Sequence, residues 1–207
     1  MKRLSSLFYN DSYSYYKSAL IISGSGYRKE DDQLLLTPIL FLLRHAIELI
    51  LKSFIIRTLE YKNIQDISRC KLLMEEGCET NIKLLSCHST FHLFSYVRYL
   101  DKQYRLVSIF DDNELEFSFK VIKDIEKIDS KSDYFRYPID KNTKEFKRKF
   151  ITRGKTGIAP EINNSNFLFL FGSPKNECVV FSTKEKKYLE LVENMSTLYK
   201  ILQKKLI

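Results

Sequence analysis

The chain has 207 residues, and its 34 lysines and arginines outnumber its 26 aspartates and glutamates to give a formal charge of +8 at pH 7. A hydrophobic share of 44% and a charged share of 29% are ordinary for a globular protein and exclude a disordered or fibrous chain. Six glycines and four prolines are too few for a turn-rich all-β sandwich or barrel.

The N-terminal residues and the cysteines predict a cytoplasmic protein. Met1, Lys2 and Arg3 are followed by polar residues instead of a continuous apolar stretch, which argues against a signal peptide. The most apolar segment, 34–43, is followed at once by charged residues, so it predicts a buried helix and not a membrane span. The four cysteines fit no disulfide framework, and we expect reduced thiols.

Apolar residues at three-and-four spacing predict helices along most of the chain. The predicted helices cover residues 9–22, 38–60, 64–76, 89–107, 111–128 and 183–206. Pro38 suits the first position of the second helix, and Asp111 suits the cap of a later one. Residues 81–87 are predicted to be a linker or a helical turn.

The region before the last helix has a different pattern. Short apolar runs at 167–171 and 178–181 flank a loop with Gly172 and Pro174, which is typical of a β-hairpin. Residues 141–155 predict a basic loop or frayed strand. The sequence therefore predicts one mainly α domain over 1–207: an up-and-down bundle at about 5–140 and 183–206, with a basic loop and small hairpin inserted at about 141–182.

A polar stripe runs along the otherwise apolar second helix. Arg44, Glu48 and Lys52 recur at steps of four and share one face, with His45 one residue round. In one interpretation this stripe faces solvent and contains two ion pairs. In the other it lines a polar groove inside the bundle, where arginine and lysine donors hold an anion such as phosphate.

Three segments in chain order resemble the HEPN superfamily of helical-bundle proteins. The run from Arg44 to Lys52 resembles the second-helix segment of that family, and Cys-His-Ser-Thr at 87–90 resembles its next conserved element. Asp-Tyr-Phe-Arg-Tyr-Pro-Ile-Asp at 133–140 resembles the third. The resemblance covers about residues 5–140 and, by topology, the last helix. It implies a HEPN-like bundle that is homodimeric and binds RNA or nucleotides.

The resemblance also implies RNA chemistry. Many HEPN members are RNases of toxin, abortive-infection and CRISPR systems that cleave RNA without metal through an Arg-x(4–6)-His motif. The three histidines of this chain are His45, His88 and His92, and none follows an arginine at that distance. A displaced catalytic site would be built from Arg44 or Arg136 with His45 or His88, an imidazole taking the 2′-hydroxyl proton and a cation stabilising the phosphorane. The candidate catalytic residues are Arg44, His45, Glu48 and His88. The alternative for each histidine is a hydrogen-bonded structural role.

A basic segment supplies further contacts for RNA. Residues 136–155 hold eight lysines and arginines against two acids, a net charge of +6, with Phe146 and Phe150 interleaved. This composition suits phosphate contact with aromatic stacking, although solvated loops share it. The nucleic-acid- and phosphate-binding candidates are Lys52, Arg136, Tyr137, Lys147, Arg148 and Lys149.

No metal or cofactor is expected, because Cys78 and Cys87 are too widely spaced for paired zinc ligands and no glycine-rich phosphate loop is complete. We therefore predict a cytoplasmic, homodimeric, RNA-directed effector of a bacterial defence or toxin-like system, with RNA or a nucleotide as its ligand and metal-independent RNA cleavage as its candidate activity. The alternative is a catalytically silent HEPN-like interaction module that partners a nucleotidyltransferase or a larger complex.

Overall fold

The computed structural model is a mainly α helical bundle, as the sequence predicted. Its described residues form five helices and five short strands. The structure describes residues 3–24, 29–63, 71–73, 79–104, 110–129, 151–154, 170–172, 178–181 and 185–206. The helices are α1 (Leu4–Gly24), α2 (Lys29–Tyr61), α3 (Thr90–Tyr104), α4 (Asp112–Asp129) and α5 (Glu185–Leu206).

The helix α2 is longer than predicted and contains Pro38 in its interior. The prediction that Pro38 occupies the first helical position is therefore wrong. Proline lacks an N–H, so the helix lacks one intrahelical hydrogen bond at this point. The neighbouring residues Leu36, Ile39 and Leu40 are buried, and their burial stabilises the helix on both sides of the proline.

The helix predicted over 64–76 is wrong at residues 71–73, the part of that segment that the structure describes. Lys71–Leu73 is a strand, β1, that pairs antiparallel with β2 at Glu79–Lys83, so residues 81–83 are also strand instead of linker. A short apolar run such as the one that includes buried Leu72 fits either a helix or a strand, and pairing with a distant segment decides between them. Residues 64–70 and 74–78 lie outside the described part.

A second small sheet precedes α5. Its strands are β3 (Ile151–Gly154), β4 (Leu170–Gly172) and β5 (Cys178–Phe181), in the antiparallel order β3-β5-β4. The pair β4–β5 lies at the position of the predicted hairpin, and β3 adds a third strand from the end of the basic segment. Residues 130–150 and 155–169, which include most of that segment, lie outside the described part.

The core is built around α2, which packs against α1, α3 and α5. Ile47, Ile50, Leu51 and Ile55 on this helix are completely buried. The predicted apolar stripe of α5 is confirmed in its described part. The buried members of this stripe are Leu191, Met195, Leu198, Tyr199 and Leu202.

Hydrogen bonds fix the relative positions of these helices. The Ser12 hydroxyl of α1 donates to the Ala46 carbonyl of α2 at 3.1 Å and lies 3.0 Å from the Tyr199 hydroxyl of α5. Burial raises the pKa of Tyr199 to about 12. At the start of α4, the Asp111 carboxylate accepts the Glu114 N–H at 2.8 Å, which confirms the predicted cap.

Candidate functional site

The polar stripe of α2 is inside the bundle. The exposed fractions of Arg44, Glu48 and Lys52 are 0%, 1% and 3%. The interpretation of this stripe as a solvent-facing row is therefore wrong. Three charged side chains at this depth need partners, because burying an unpaired charge is very costly.

The carboxylate of Glu48 is the centre of a buried ion cluster. Its Oε2 accepts a hydrogen bond from Nη1 of Arg44 at 2.8 Å, and its Oε1 accepts one from Nζ of Lys52 at 2.9 Å. Burial raises the pKa of Glu48, but the charges and hydrogen bonds of Lys52 and Arg44 outweigh burial and hold it below its usual value. Glu48 is thus an anion held between two cations.

Arg44 also connects α2 to α4 and to the segment before α3. Its Nε lies 3.2 Å from Oδ2 of Asp129, the last residue of α4, and its Nη2 donates to the His88 carbonyl. The guanidinium therefore contacts Glu48, Asp129 and His88 at once. The ammonium group of a lysine lacks the planar fork of donors that makes this possible. With Asp129, the cluster contains two cations and two anions, and its formal charges cancel.

Sequence reasoning missed Asp129. A usable signal was present in the α4 pattern, because Ile122, Ile125 and Asp129 follow one another at three-and-four spacing and all three are buried. An aspartate that continues an apolar stripe lies on the core face and needs a cationic partner there. Which cation it meets depends on how α4 packs against α2, and that is a tertiary contact.

The segment between β2 and α3 is attached to the cluster. The Leu85 carbonyl accepts a hydrogen bond from Nζ of Lys52 at 3.1 Å, and the His88 carbonyl accepts from Arg44. Between them, Cys87 is buried and its thiol lies 3.6 Å from the Ser89 carbonyl. Burial raises the pKa of the Cys87 thiol, which keeps it protonated.

His88 is the part of this arrangement that reaches solvent. Its Nδ1 lies 3.0 Å from Oε1 of Glu48, and half of its side chain is exposed. A carboxylate at Nδ1 orients an imidazole, and Nε2 is then the nitrogen that is available to exchange a proton. The Glu48–His88 pair therefore has the composition and geometry of an acid–base dyad.

His45 lies near the other oxygen of the same carboxylate. Its Nδ1 is 3.9 Å from Oε2 of Glu48, and its side chain is 18% exposed. The ring packs edge-on against Tyr15, with centroids 4.5 Å apart, and is stacked with Phe41 at 5.9 Å. The structure thus brings together the four predicted catalytic residues: Arg44, His45, Glu48 and His88.

A second carboxylate fixes the segment that carries His88. Oε1 of Glu126 on α4 accepts hydrogen bonds from the hydroxyls of Ser89 and Thr90, at 3.0 and 3.1 Å, and from the Phe91 N–H at 2.9 Å. An anion at the start of α3 also suits the positive end of that helix. His92, the third histidine, lies beside this cap, with Nδ1 2.8 Å from the Ser89 hydroxyl.

The predicted phosphate-binding residues are only partly described. Lys52 is in the buried cluster, where Glu48 and the Leu85 carbonyl engage it. The other candidates lie outside the described residues, and their roles stay predictions. They are Arg136, Tyr137, Lys147, Arg148 and Lys149.

Within the described ranges, no group of three or more His, Cys, Asp or Glu side chains is placed to hold a metal ion. No described helix combines the length and apolar character needed to cross a membrane. Comparisons with protein-family models, curated proteins and solved structures find no match to the chain. The HEPN assignment accordingly stays a prediction that rests on three sequence segments.

Proposed function

We propose that this protein is a cytoplasmic, RNA-directed effector of a bacterial defence or toxin-like system that binds RNA and cleaves it without a metal ion. The observation that carries the proposal is the Glu48–His88 pair, a half-exposed imidazole backed by a buried carboxylate. In the proposed reaction, His88 takes the proton of a ribose 2′-hydroxyl as that oxygen attacks the adjacent phosphate. The bond from phosphorus to the 5′-oxygen of the next nucleotide then breaks, which leaves a 2′,3′-cyclic phosphate, and the 5′-oxygen takes a proton from water. Glu48 holds the ring and stabilises the imidazolium that forms.

The buried cations have positioning roles in this proposal. Arg44 is fully buried and holds both Glu48 and the His88 carbonyl, so it sets the geometry of the dyad without contacting RNA. His45, at the other oxygen of Glu48, is a candidate second imidazole. In this proposal the basic residues of 136–155, whose net charge is +6, contact the phosphates of the RNA. The active form is a homodimer.

The test is degradation of labelled RNA by the purified protein in EDTA. We expect the wild-type protein to cleave, and His88→Ala to lose about a hundredfold or more of the rate, because a positioned acid–base group contributes about that much. His92→Asn is the matched control: it changes a neighbouring histidine that contacts Ser89, and it should retain the rate. Equal cleavage by wild type and His88→Ala, or none by the wild type, would reject the catalytic assignment.

A specific observation favours the second candidate, a catalytically silent interaction module that partners a nucleotidyltransferase or a larger complex. The charges of Arg44, Lys52, Glu48 and Asp129 cancel inside the core, an arrangement that holds a scaffold together without any substrate. Absence of both RNA cleavage and salt-dependent RNA binding would favour this module, since phosphate contacts weaken steeply with salt. RNA binding without cleavage would support the RNA-directed role and would reject the proposed cleavage reaction.

A further inference from the structure

A cavity away from the Glu48 cluster has a positively charged wall. It has a volume of about 410 Å³ and lies where the start of α1, the second half of α2 and the end of α5 meet. Volumes of this size accommodate small organic ligands. Its wall includes the side chains of Arg3 and Arg57 and no carboxylate among the described lining residues.

One carboxylate beside this cavity is already hydrogen-bonded to a residue of its wall. Glu60 accepts hydrogen bonds from the backbone N–H of Ser5 at 3.4 Å and from its hydroxyl at 2.7 Å. Glu60 therefore caps the start of α1 and occupies the positive end of that helix. Arg3 and Arg57 are therefore the charged side chains among the described lining residues of the cavity.

The cavity has oriented donors as well as charge. Arg57 donates one N–H to the Leu206 carbonyl, which anchors its guanidinium at the rim. A guanidinium has five N–H donors, so this one bond leaves a fork for another acceptor. The Tyr9 hydroxyl accepts from Nε2 of Gln203 at 3.0 Å, which directs its own O–H elsewhere. Asn10 adds an amide to the same wall.

We propose that this cavity is a binding site for a small phosphomonoester, with the phosphate between Arg3 and Arg57 and the organic group against Tyr9. Planar guanidinium forks match phosphate oxygens in pairs, and charge-assisted hydrogen bonds of this kind are about twice as strong as neutral ones. A dianionic ligand also neutralises two cations that share one wall. This site is independent of the proposed RNA chemistry.

The cavity and the ion cluster lie on different sides of α2. Nζ of Lys52 bonds to the Leu85 carbonyl, toward the segment before α3. The next residue, Ser53, donates to the Ser5 carbonyl of α1 at 2.8 Å and lines the cavity. Variants of the cavity wall therefore test phosphate binding without disturbing the Glu48–His88 pair.

The experiment is calorimetric titration of the full chain with phenyl phosphate, and with phenol as the uncharged counterpart. We expect saturable binding of phenyl phosphate at about millimolar Kd or tighter, and no saturation with phenol. Arg3→Gln and Arg57→Gln should each weaken binding about tenfold or more, since each removes a charge-assisted contact. Lys17→Gln, which removes an exposed cation of α1 outside the cavity, should bind like the wild type.

Arg57→Gln also removes the contact with Leu206, so weaker binding by this variant could reflect a loss of folding. A further variant separates the two effects. Asn10→Ala changes a cavity amide on α1 without touching either arginine, and it should weaken binding severalfold with an unchanged thermal midpoint. Absence of saturable binding by the wild type overturns the proposal. Equal affinity for phenol, or wild-type affinity in Arg3→Gln and Asn10→Ala, also overturns it.

Discussion

Glu48 and His88 join the interior of the bundle to its surface: Oε1 of a carboxylate that is 1% exposed lies 3.0 Å from Nδ1 of an imidazole that is 50% exposed. The carboxylate belongs to α2, and the imidazole belongs to the segment that precedes α3. Lys52 and Arg44 hold the other positions around the carboxylate. The interior cluster thus determines the orientation of the exposed ring.

Removal of the central carboxylate should strongly destabilise the fold. In Glu48→Ala, the buried cations Arg44 and Lys52 lose their shared partner, and loss of one member of a buried ionic cluster costs about 3–5 kcal/mol. We expect that reduction in the free energy of unfolding measured in urea. Glu116→Ala, at an exposed position of α4, is the control and should change stability by less than about 0.5 kcal/mol. A cost below about 1 kcal/mol for Glu48→Ala would contradict the described burial.

Acid should weaken the protein partly through Glu48. Its pKa in the folded protein lies below the ordinary value of 4.5, so the unfolded state binds this proton more readily than the folded state. Stability from this group is then fully present above pH 4.5 and declines as the pH falls through the folded pKa.

Urea unfolding of the wild type and of Glu48→Gln across pH 7 to 3 measures this contribution. The two proteins should differ most at neutral pH, and the difference should shrink in acid, because only the wild type has the carboxylate to protonate. Glu116→Gln, with an exposed carboxylate, should follow the wild-type curve. A constant difference between wild type and Glu48→Gln at all pH values would show that Glu48 is not held as an anion in the folded state.

The two ion pairs at the end of α4 should differ sharply in strength. Asp129 pairs with Arg44 at 3.2 Å with both side chains buried, whereas Asp124 pairs with Lys127 at 3.1 Å with side chains that are 37% and 72% exposed. Asp129→Ala should therefore cost about 3 kcal/mol of unfolding free energy, and Asp124→Ala less than about 1 kcal/mol. Thermal and urea unfolding of both variants measure the contrast. Similar costs at the two positions would indicate that Asp129 is not buried against Arg44.

The sequence predicted the elements better than it predicted their contacts. Period alone located the five helices, because long amphipathic segments such as α5 carry a clear three-and-four pattern. It also placed Arg44, Glu48 and Lys52 on one face, since that follows from helix geometry. Their burial was left open between two interpretations, because it depends on which elements cover that face.

The sequence pattern did not predict which helices and strands contact one another. Asp129 reaches Arg44 only because α4 packs with its end beside α2. The strand at Lys71–Leu73 was predicted as helix because three residues carry too little periodicity, and its pairing partner decides its conformation. The Glu48–His88 pair likewise depends on where the segment before α3 crosses α2, which no local pattern specifies.

Glu126 should control the order of the segment that carries His88. One of its carboxylate oxygens accepts bonds from Ser89, Thr90 and the Phe91 N–H, so Glu126→Ala removes three hydrogen bonds from the start of α3. We expect a loss of about 1–3 kcal/mol in stability and faster hydrogen exchange at the Phe91 amide. Glu126→Gln keeps an acceptor oxygen and should recover part of both effects.

The matched control for Glu126 is Glu116→Ala on the exposed face of the same helix, which should leave Phe91 exchange unchanged. A structural cap that also positions His88 has a further consequence. In Glu126→Ala, the NMR signals of the His88 ring should shift and broaden, because the ring is no longer held 3.0 Å from Oε1 of Glu48. Unchanged amide exchange and unchanged His88 ring signals in Glu126→Ala would show that Glu126 does not hold this segment in place.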